Sequence, residues 1–418
     1  MAQLERALKL DTPSYIDNLH SNSKGWITRS IINNKGYCQW HYKYTELTNL
    51  DLTGENNYIS LNTFYKPQRR LENIKELNAL YIDLDYYNTN NKTQSQILMD
   101  LEQNYFNQLI PLPNYIVDSG RGMYLIWLIN KVPSQALPLW KAIEEYFYNQ
   151  LKDFGADRQA LDATRILRVP GSINSKSKTV VTVLDEYKYV YDLREIQNEY
   201  LPELRSRTSK KQKTNKPYKK INFIFRERSL YYARLQDLTK LCELRRYDVV
   251  GYRELILFLY RYYLCYFTED TEKALQDTLE LNKQFITPLG QNEVVRATKS
   301  AEKCYLTQDK QYKYKNDTLI ELLGITDDEQ AKLSTIISKV EYRNRDREYH
   351  KKVDKKKYQE KLKSQGKLTE KDKISQRRQK IKALLQQGFK QKDICLTLAI
   401  SKDTYIRDRK YFKEQGLI

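Results

Sequence analysis

The sequence predicts an α+β fold: a sheet-bearing N-terminal domain, then all-helical segments and a three-helix tail. Three observations predict it. Between residues 58 and 190, short apolar stretches of strand character are separated by single segments with helical apolar spacing. Beyond residue 229 the spacing is helical. Between them, residues 205–220 hold eight positive charges and no negative one, a self-repelling block that reads as a flexible linker. The 418 residues thus divide into a domain at 1–204, a basic linker at 205–228, a helical domain at 229–316, a charged helical connector at 317–373 and a terminal module at 374–418.

Residues 1–75 are mixed and aromatic-rich, and Tyr58–Tyr65 alternates as a strand that Pro67 closes. Arg69 and Arg70 follow, read as facing solvent, with nucleotide phosphates as the alternative. Asn78–Tyr86 is a short apolar strand ending in Asp83 and Asp85, and residues two apart on a strand share a face. Asn88-Thr89-Asn90-Asn91 makes a polar loop. From Gln94 to Leu109, the spacing of Ile97, Leu98, Leu101, Tyr105 and Phe106 gives an amphipathic helix, stopped by Pro111 and Pro113. Tyr115–Val117 and Met123–Ile129 are strands joined by the turn Asp118-Ser119-Gly120-Arg121-Gly122, hence a hairpin. A second amphipathic helix covers 135–153, and Ala163–Val169 and Thr179–Leu184 are further strands. Helices occupy 229–307, on spacings such as Leu255, Ile256, Leu259, Tyr260 and Tyr263. From Ser338 to Lys380 charges of both signs interleave along a solvated helix.

Forty per cent apolar residues suffice for a core. The net charge of +19, from 72 Lys+Arg against 53 Asp+Glu, favours nucleic acid over a membrane surface as partner. No membrane span is expected, because the longest apolar run, Leu255–Phe267, is broken by Arg261 and is too short for ~30 Å of hydrocarbon. The five cysteines never form a Cys-x-x-Cys pair and there are only three histidines. That argues against a zinc site and a disulfide framework and for a reducing cytoplasm. No secretory signal is expected from the N-terminus.

Two acids on one strand face repel each other and lose hydration, and a divalent cation between them relieves both, since Mg2+ prefers carboxylate oxygens. For Asp83 and Asp85 alone, a solvated strand end serves as well. Two further features fall on the same inferred sheet: the turn Ser119-Gly120-Arg121-Gly122, and Asp162-Ala163-Thr164-Arg165-Ile166-Leu167-Arg168-Val169-Pro170-Gly171-Ser172-Ile173-Asn174. Each has a task in nucleotidyl transfer. Two metals held by three carboxylates bind a triphosphate and activate a 3′-hydroxyl for in-line attack. A glycine turn lets backbone N–H groups approach phosphate, and Arg121 adds charge. Arg165 and Arg168 neutralise a pyrophosphate leaving group, and Asn174 reaches the sugar or template. Taken singly, the turn is a tight hairpin and the two arginines are surface ion-pair partners for Asp157 and Asp162.

Together these segments resemble the archaeo-eukaryotic primase superfamily, specifically the primase-polymerase replication proteins of plasmids and phages. Asp83-Leu84-Asp85 matches its first motif. Asp118-Ser119-Gly120-Arg121-Gly122-Met123-Tyr124 through Trp127 is similar to its Ser-Gly-x-Gly-x-His-x-x-Trp motif. Asp162-x-x-Arg165-x-x-Arg168-x-Pro170-Gly171-Ser172-x-Asn174 is similar to its third. The likeness covers about residues 55–190. It implies an RRM-like catalytic sheet, with Asp83, Asp85 and Asp162 as catalytic and metal-binding acids for Mg2+ or Mn2+. Ser119, Gly120, Arg121, Gly122, Arg165, Arg168 and Asn174 would bind the nucleotide. The usual histidine is Tyr124, which donates one hydrogen bond but carries no positive charge near neutrality. Residues 229–307 resemble the helical domain that follows such catalytic modules and assists initiation.

In the last forty residues, Ile381–Gly388 ends a helix at glycine, Lys390–Leu398 makes a second, and Ser401 caps a third. This looks like a helix-turn-helix, with Lys402, Thr404, Tyr405, Arg407 and Arg409 as candidate DNA contacts. Ala399 stands where the turn often carries glycine; a three-helix tail without a DNA role is the alternative. The reading is a replication initiator with primase activity. Its partners would be single-stranded template, origin duplex DNA, nucleoside triphosphates and a host helicase or polymerase. The rival is an origin-binding protein without catalysis. A paired-histidine nicking enzyme lacks its His-x-His here, and an Asp-x-Asp phosphatase leaves the third motif unexplained.

Overall fold

The computed structural model describes residues 12–33, 36–86, 93–201, 218–307, 312, 314–365 and 370–415. The expected loop 88–91 and linker residues 205–217 lie outside them. The chain forms two compact units, 1–337 and 338–418.

In the first unit the opening residues, unassigned in the sequence reading apart from one strand, form α1 (Thr12–His20) and the hairpin of β1 (Ile27–Asn33) and β2 (Gly36–Tyr42), followed by α2 (Tyr44–Leu47). The strand expected at 58–65 is two strands, β3 (Asn57–Ser60) and β4 (Thr63–Phe64), in different sheets. Asn62 makes the crossing possible: its carbonyl accepts from the Asn78 N–H at 2.9 Å, and its amide donates to the Ala163 carbonyl at 2.9 Å. Then come β5 (Ile74–Leu84), α3 (Gln94–Asn104), β6 (Tyr115–Asp118), β7 (Met123–Pro133), α4 (Leu137–Leu151), β8 (Ile166–Arg168), β9 (Ile173–Asn174), β10 (Thr179–Val180), β11 (Thr182–Glu186) and α5 (Leu193–Tyr200).

One sheet runs β11-β6-β7-β5-β4, another β2-β1-β3-β8, and β9 pairs with β10. Every pairing within them is antiparallel. The succession β5-α3-β6-β7-α4-β11 is that of a split βαβ unit. Its closing strand β11 pairs with β6, and the free edge of β5 is taken by β4. Residues 79–82 and Leu84 of β5 are buried, so the strand reads as an unbroken apolar run, covered on both faces. Thr93 caps α3 with a reciprocal Gln96 bond, and the Trp140 indole of α4 donates to the Ala79 carbonyl at 2.7 Å.

Helices α6 (Tyr218–Leu244), α7 (Arg253–Thr268), α8 (Thr271–Asn282), α9 (Gln291–Thr307), α10 (Asn316–Leu322) and α11 (Asp327–Gln330) complete this unit. Residues 218–228, expected as linker, are part of helix α6. Residues 317–337, expected as connector, belong to this unit's core through Leu319, Leu323, Leu333 and Ile336. The buried Asp237 carboxylate gathers the N–H groups of Ser334, Thr335 and Ile336 at 2.6–2.8 Å.

The second unit contains α12 (Lys339–Ser364), α13 (Glu370–Gln386), α14 (Gln391–Thr397) and α15 (Lys402–Glu414). The last three close over Ile381, Ile394, Tyr405 and Phe412. Among the described residues no helix is long and apolar enough to cross a membrane.

Candidate active site

The site forms where β5 ends. Asp83 lies opposite Tyr124 of β7, and Leu84 opposite Met123. The turn between β6 and β7 is pressed onto this end: a Cβ on Gly122 would meet the Leu84 carbonyl oxygen at 2.5 Å and Asp85 Oδ1 at 3.2 Å. Only a hydrogen fits there. Gly120 adopts φ +88, and a Cβ on it would meet Thr179 Oγ1 at 2.3 Å and Ser177 Oγ at 2.4 Å.

A third acid arrives from an unexpected position. The Asp85 N–H donates to the Gly155 carbonyl at 2.9 Å and the Asp157 N–H to the Asp83 carbonyl at 2.9 Å, with Leu84 bridging Ala156. This laces residues 155–157 along the strand end and brings the Asp157 carboxylate within electrostatic reach of Asp83 and Asp85. Burial first, then Asp85 and Asp157, push the Asp83 carboxyl up to about 7 against the opposing Arg165 and Arg168. Burial and Asp157 also raise Asp85, while Arg165 and Arg121 oppose. An acid whose ionised form is this disfavoured is a carboxylate short of positive charge.

Asp162, expected as the third metal-binding acid, has other partners. Its carboxylate accepts from the Thr164 N–H at 3.0 Å and from Thr164 Oγ1, and is ion-paired to Lys273 of α8. Burial works against its ionisation, but Lys273 and the Thr164 N–H outweigh it and hold the carboxyl well below the usual range. Asp162 therefore already has its counter-ion. Sequence reasoning passed over Asp157 because its proximity comes from an isolated bridge to β5, a non-local pairing that no spacing records.

Arg165 extends to Asp157, with Nη2 3.6 Å from Oδ2. Arg168 lies over the Tyr58 ring, 4.8 Å from its centroid, beside the Tyr124 hydroxyl, which also faces Ser119. Burial, then Asp83, raises the Tyr124 phenol above its usual value, so it is a neutral donor. Ser119 shapes the turn: its Oγ donates to the Gly122 carbonyl at 2.9 Å and accepts the Gly122 N–H at 3.2 Å. Arg121 is exposed. Asn174, expected to reach sugar or template, is buried and donates to the Ser119 carbonyl at 2.7 Å, which makes it a tie between loops. Arg69, expected in solvent, is held at the same cleft by the Thr164 carbonyl at 2.9 Å and Tyr37 at 3.2 Å.

The expected DNA contacts lie in the other unit. Lys402, Arg407 and Arg409 of α15 are exposed. Thr404 is engaged by the Ser401 cap, Oγ to Oγ1 at 2.9 Å. Tyr405, expected as a DNA contact, instead faces inward: it is 2 % exposed and is part of the core. The spacing Tyr405, Asp408, Phe412 was the available signal of an inward stripe. Among the described residues, no group of three or more His, Cys, Asp or Glu side chains is arranged to hold a metal ion.

No family model matches the chain. Over 415 residues it is 65% identical to a Clostridium perfringens protein named Replication protein, covering 99% of this chain and 100% of that one. Among solved structures it is similar to the AEP domain of the cyanophage S-2L primase-polymerase, at 14% identity and TM-score 0.34, covering 44% of this chain and 93% of that one. It is similar to the catalytic domain of primase RepB′ in complex with initiator DNA, at 13% identity and TM-score 0.30, covering 45% and 94%. A structure of primase RepB′ gives 11% identity and TM-score 0.31, covering 72% and 100%. Near-complete coverage of both chains at 65% identity settles the relationship: the chain belongs to the family of replication proteins to which that Clostridium perfringens protein belongs.

Proposed function

We propose that this replication protein is a primase, joining nucleotides from nucleoside triphosphates on a single-stranded DNA template. One observation carries the reading: Asp83, Asp85 and Asp157 lie within electrostatic reach of one another at the end of β5, with Arg165, Arg168 and Tyr124 in the same field. The donor set suits Mg2+ or Mn2+, because it is made of hard oxygens, and burial first, then the neighbouring acids, disfavour the charge on Asp83 that a cation would stabilise. Asp83, Asp85 and Asp157 would hold the ions, with phosphate oxygens and water completing the coordination. When bound, the metal supplies an activated 3′-hydroxyl and neutralises the phosphates.

The chain's own residues account for the rest. The turn Ser119–Gly122 uses its Ser119, Gly120 and Gly122 N–H groups to hold its own shape, lies flush on Leu84 through Gly122, and would bring the exposed Arg121 side chain to the phosphates. Arg168, stacked on Tyr58 and steadied by the Tyr124 hydroxyl, takes the position of a phosphate-binding cation where an imidazole is expected. Arg165 balances the acids. Lys402, Arg407 and Arg409 at the exposed face of α15 would contact origin duplex DNA.

Incorporation of labelled nucleotides on single-stranded DNA tests this, comparing ribo- with deoxynucleotides and Mg2+ with Mn2+. The product is expected to vanish in the Asp83→Ala plus Asp85→Ala chain. Synthesis that survives the double change sinks the proposal.

A further inference from the structure

Helices α7 and α8 meet at a corner fixed by its own hydrogen bonds. Glu269 ends α7 in the left-handed region, at φ 61. Asp270 then caps α8, its Oδ1 accepting the N–H groups of Glu272 at 3.0 Å and Lys273 at 2.9 Å. The corner so presents an anion, Glu269, and four residues later a cation, Lys273. Facing it, the segment after Asp157 presents the reverse order: Arg158, and four residues later Asp162. Arg158 pairs with Glu269 and Lys273 with Asp162. Lys273 Nζ also reaches Thr164 Oγ1 at 3.0 Å. The two pairs differ in weight. The Arg158 side chain is 63% exposed, whereas Lys273 and Asp162 are 22% and 14% exposed, and exposed pairs contribute little.

We propose that Lys273 is a positioning residue for the acid cluster, acting through Asp162 on the direction of Arg165 and hence on Asp157. The inference rests on the primase reading but concerns a residue outside the groups named there. A short chain of contacts carries it. The Arg165 N–H donates to the Asp162 carbonyl at 2.7 Å. The Arg165 guanidinium lies 3.6 Å from Asp157, within the field of both Asp157 and Asp162. Asp157 is in turn laced to Asp83. While Lys273 neutralises Asp162, the arginine is left to the cluster of Asp83, Asp85 and Asp157, with Asp157 its nearest partner. Without Lys273, an ionised Asp162 competes for it and leaves Asp157 misdirected. The backbone of the segment has independent supports, from Tyr81 Oη to the carbonyls of Ala160 at 2.7 Å and Asp162 at 2.5 Å, and from Lys141 Nζ to that of Leu161 at 2.6 Å. Removing Lys273 therefore redirects side chains and leaves the fold in place.

The test uses the full chain as wild type, Lys273→Ala, Lys273→Arg, and Lys273→Ala combined with Asp162→Asn. Mn2+ binding is read from the paramagnetic resonance of free Mn2+, and amide hydrogen exchange is followed over residues 157–165. Lys273→Ala is expected to weaken Mn2+ binding by about tenfold, the usual scale for a lost outer-shell partner. It should speed exchange in the segment and barely move Tm. Lys273→Arg should retain binding, and the added Asp162→Asn should restore it by removing the competing charge. Unchanged Mn2+ affinity in Lys273→Ala, or equal loss in the double variant, overturns the proposal. Should wild type bind Mn2+ without incorporating nucleotides, the primase reading fails while these comparisons still decide the role of Lys273. Should it bind no Mn2+, unchanged exchange in Lys273→Ala overturns the proposal.

Discussion

Asp83 and Tyr124 stand directly opposite each other on β5 and β7, so the acid and the phenol share one face of the sheet. The phenol's hydroxyl continues the line to Arg168 and Ser119. Tyr124 thus stands between the acid and the arginine. Tyr124→Phe removes the hydroxyl alone. One hydrogen bond to a charged group is worth about 1.5–3 kcal/mol, so the nucleotide KM should rise roughly 10- to 100-fold with kcat little changed. Steady-state incorporation kinetics check this. Tyr124→His should instead give a KM that rises with pH between about 6 and 7.5, as the imidazole loses its charge.

Asp157 and Asp162 are five residues apart in sequence and are expected to behave differently. Asp157→Asn should lower incorporation by on the order of two decades or more, as for other groups that stabilise transition-state charge. Asp162→Asn keeps the Thr164 contacts sterically and should cost much less. Equal losses in single-turnover assays would return Asp162 to the acid cluster.

Gly122→Ala places a methyl group against the Leu84 carbonyl at 2.5 Å. Backbone must yield, since a main-chain carbonyl cannot rotate away. A stability loss of about 1–3 kcal/mol is expected, with incorporation falling further than Tm does. Thermal unfolding and incorporation measured together separate the two effects.

Asp408, buried in α15, accepts from Arg377 Nε and Arg378 Nε at 2.8 Å each. Burial disfavours its charge, but the two arginines prevail and hold the carboxyl below its usual range. Its folded pKa is depressed, so its contribution to the terminal module is complete above the unfolded value of about 4. That contribution disappears as pH falls through the folded value. Asp408→Asn should lower the module's Tm at pH 7 and flatten the dependence below pH 4, read by circular dichroism of the full chain. Ala399, at φ +48 between α14 and α15, points the other way: Ala399→Gly should stabilise the module by about 0.5–1 kcal/mol.

What the sequence made legible were the local features. The strand bearing Asp83, the β6–β7 hairpin, helices α3 and α4 and the Ser401 cap all rest on period, capping and turn chemistry within a dozen residues. The β1–β2 hairpin escaped because β2 is an edge strand with exposed Tyr37 and Trp40, and its alternation is blurred on both faces. Asp162 attracted attention through its spacing to Arg165 and Arg168. Asp157 owes its place to a contact with a strand more than seventy residues earlier. The strand at 58–65 was split because one asparagine, Asn62, satisfies backbone groups from two distant segments, which no propensity encodes.

Asn174 fastens the Ser119–Gly122 turn to the loop that carries Ser177 and Thr179. On the proposed primase reading, in which this turn meets the triphosphate, a γ-substituted nucleotide too bulky for the turn would have to lift both loops at once, breaking a shared internal tether. Discrimination against oversized triphosphate tails should accordingly be steep, and shortening that tether by Asn174→Ala should widen the range of analogues the protein accepts.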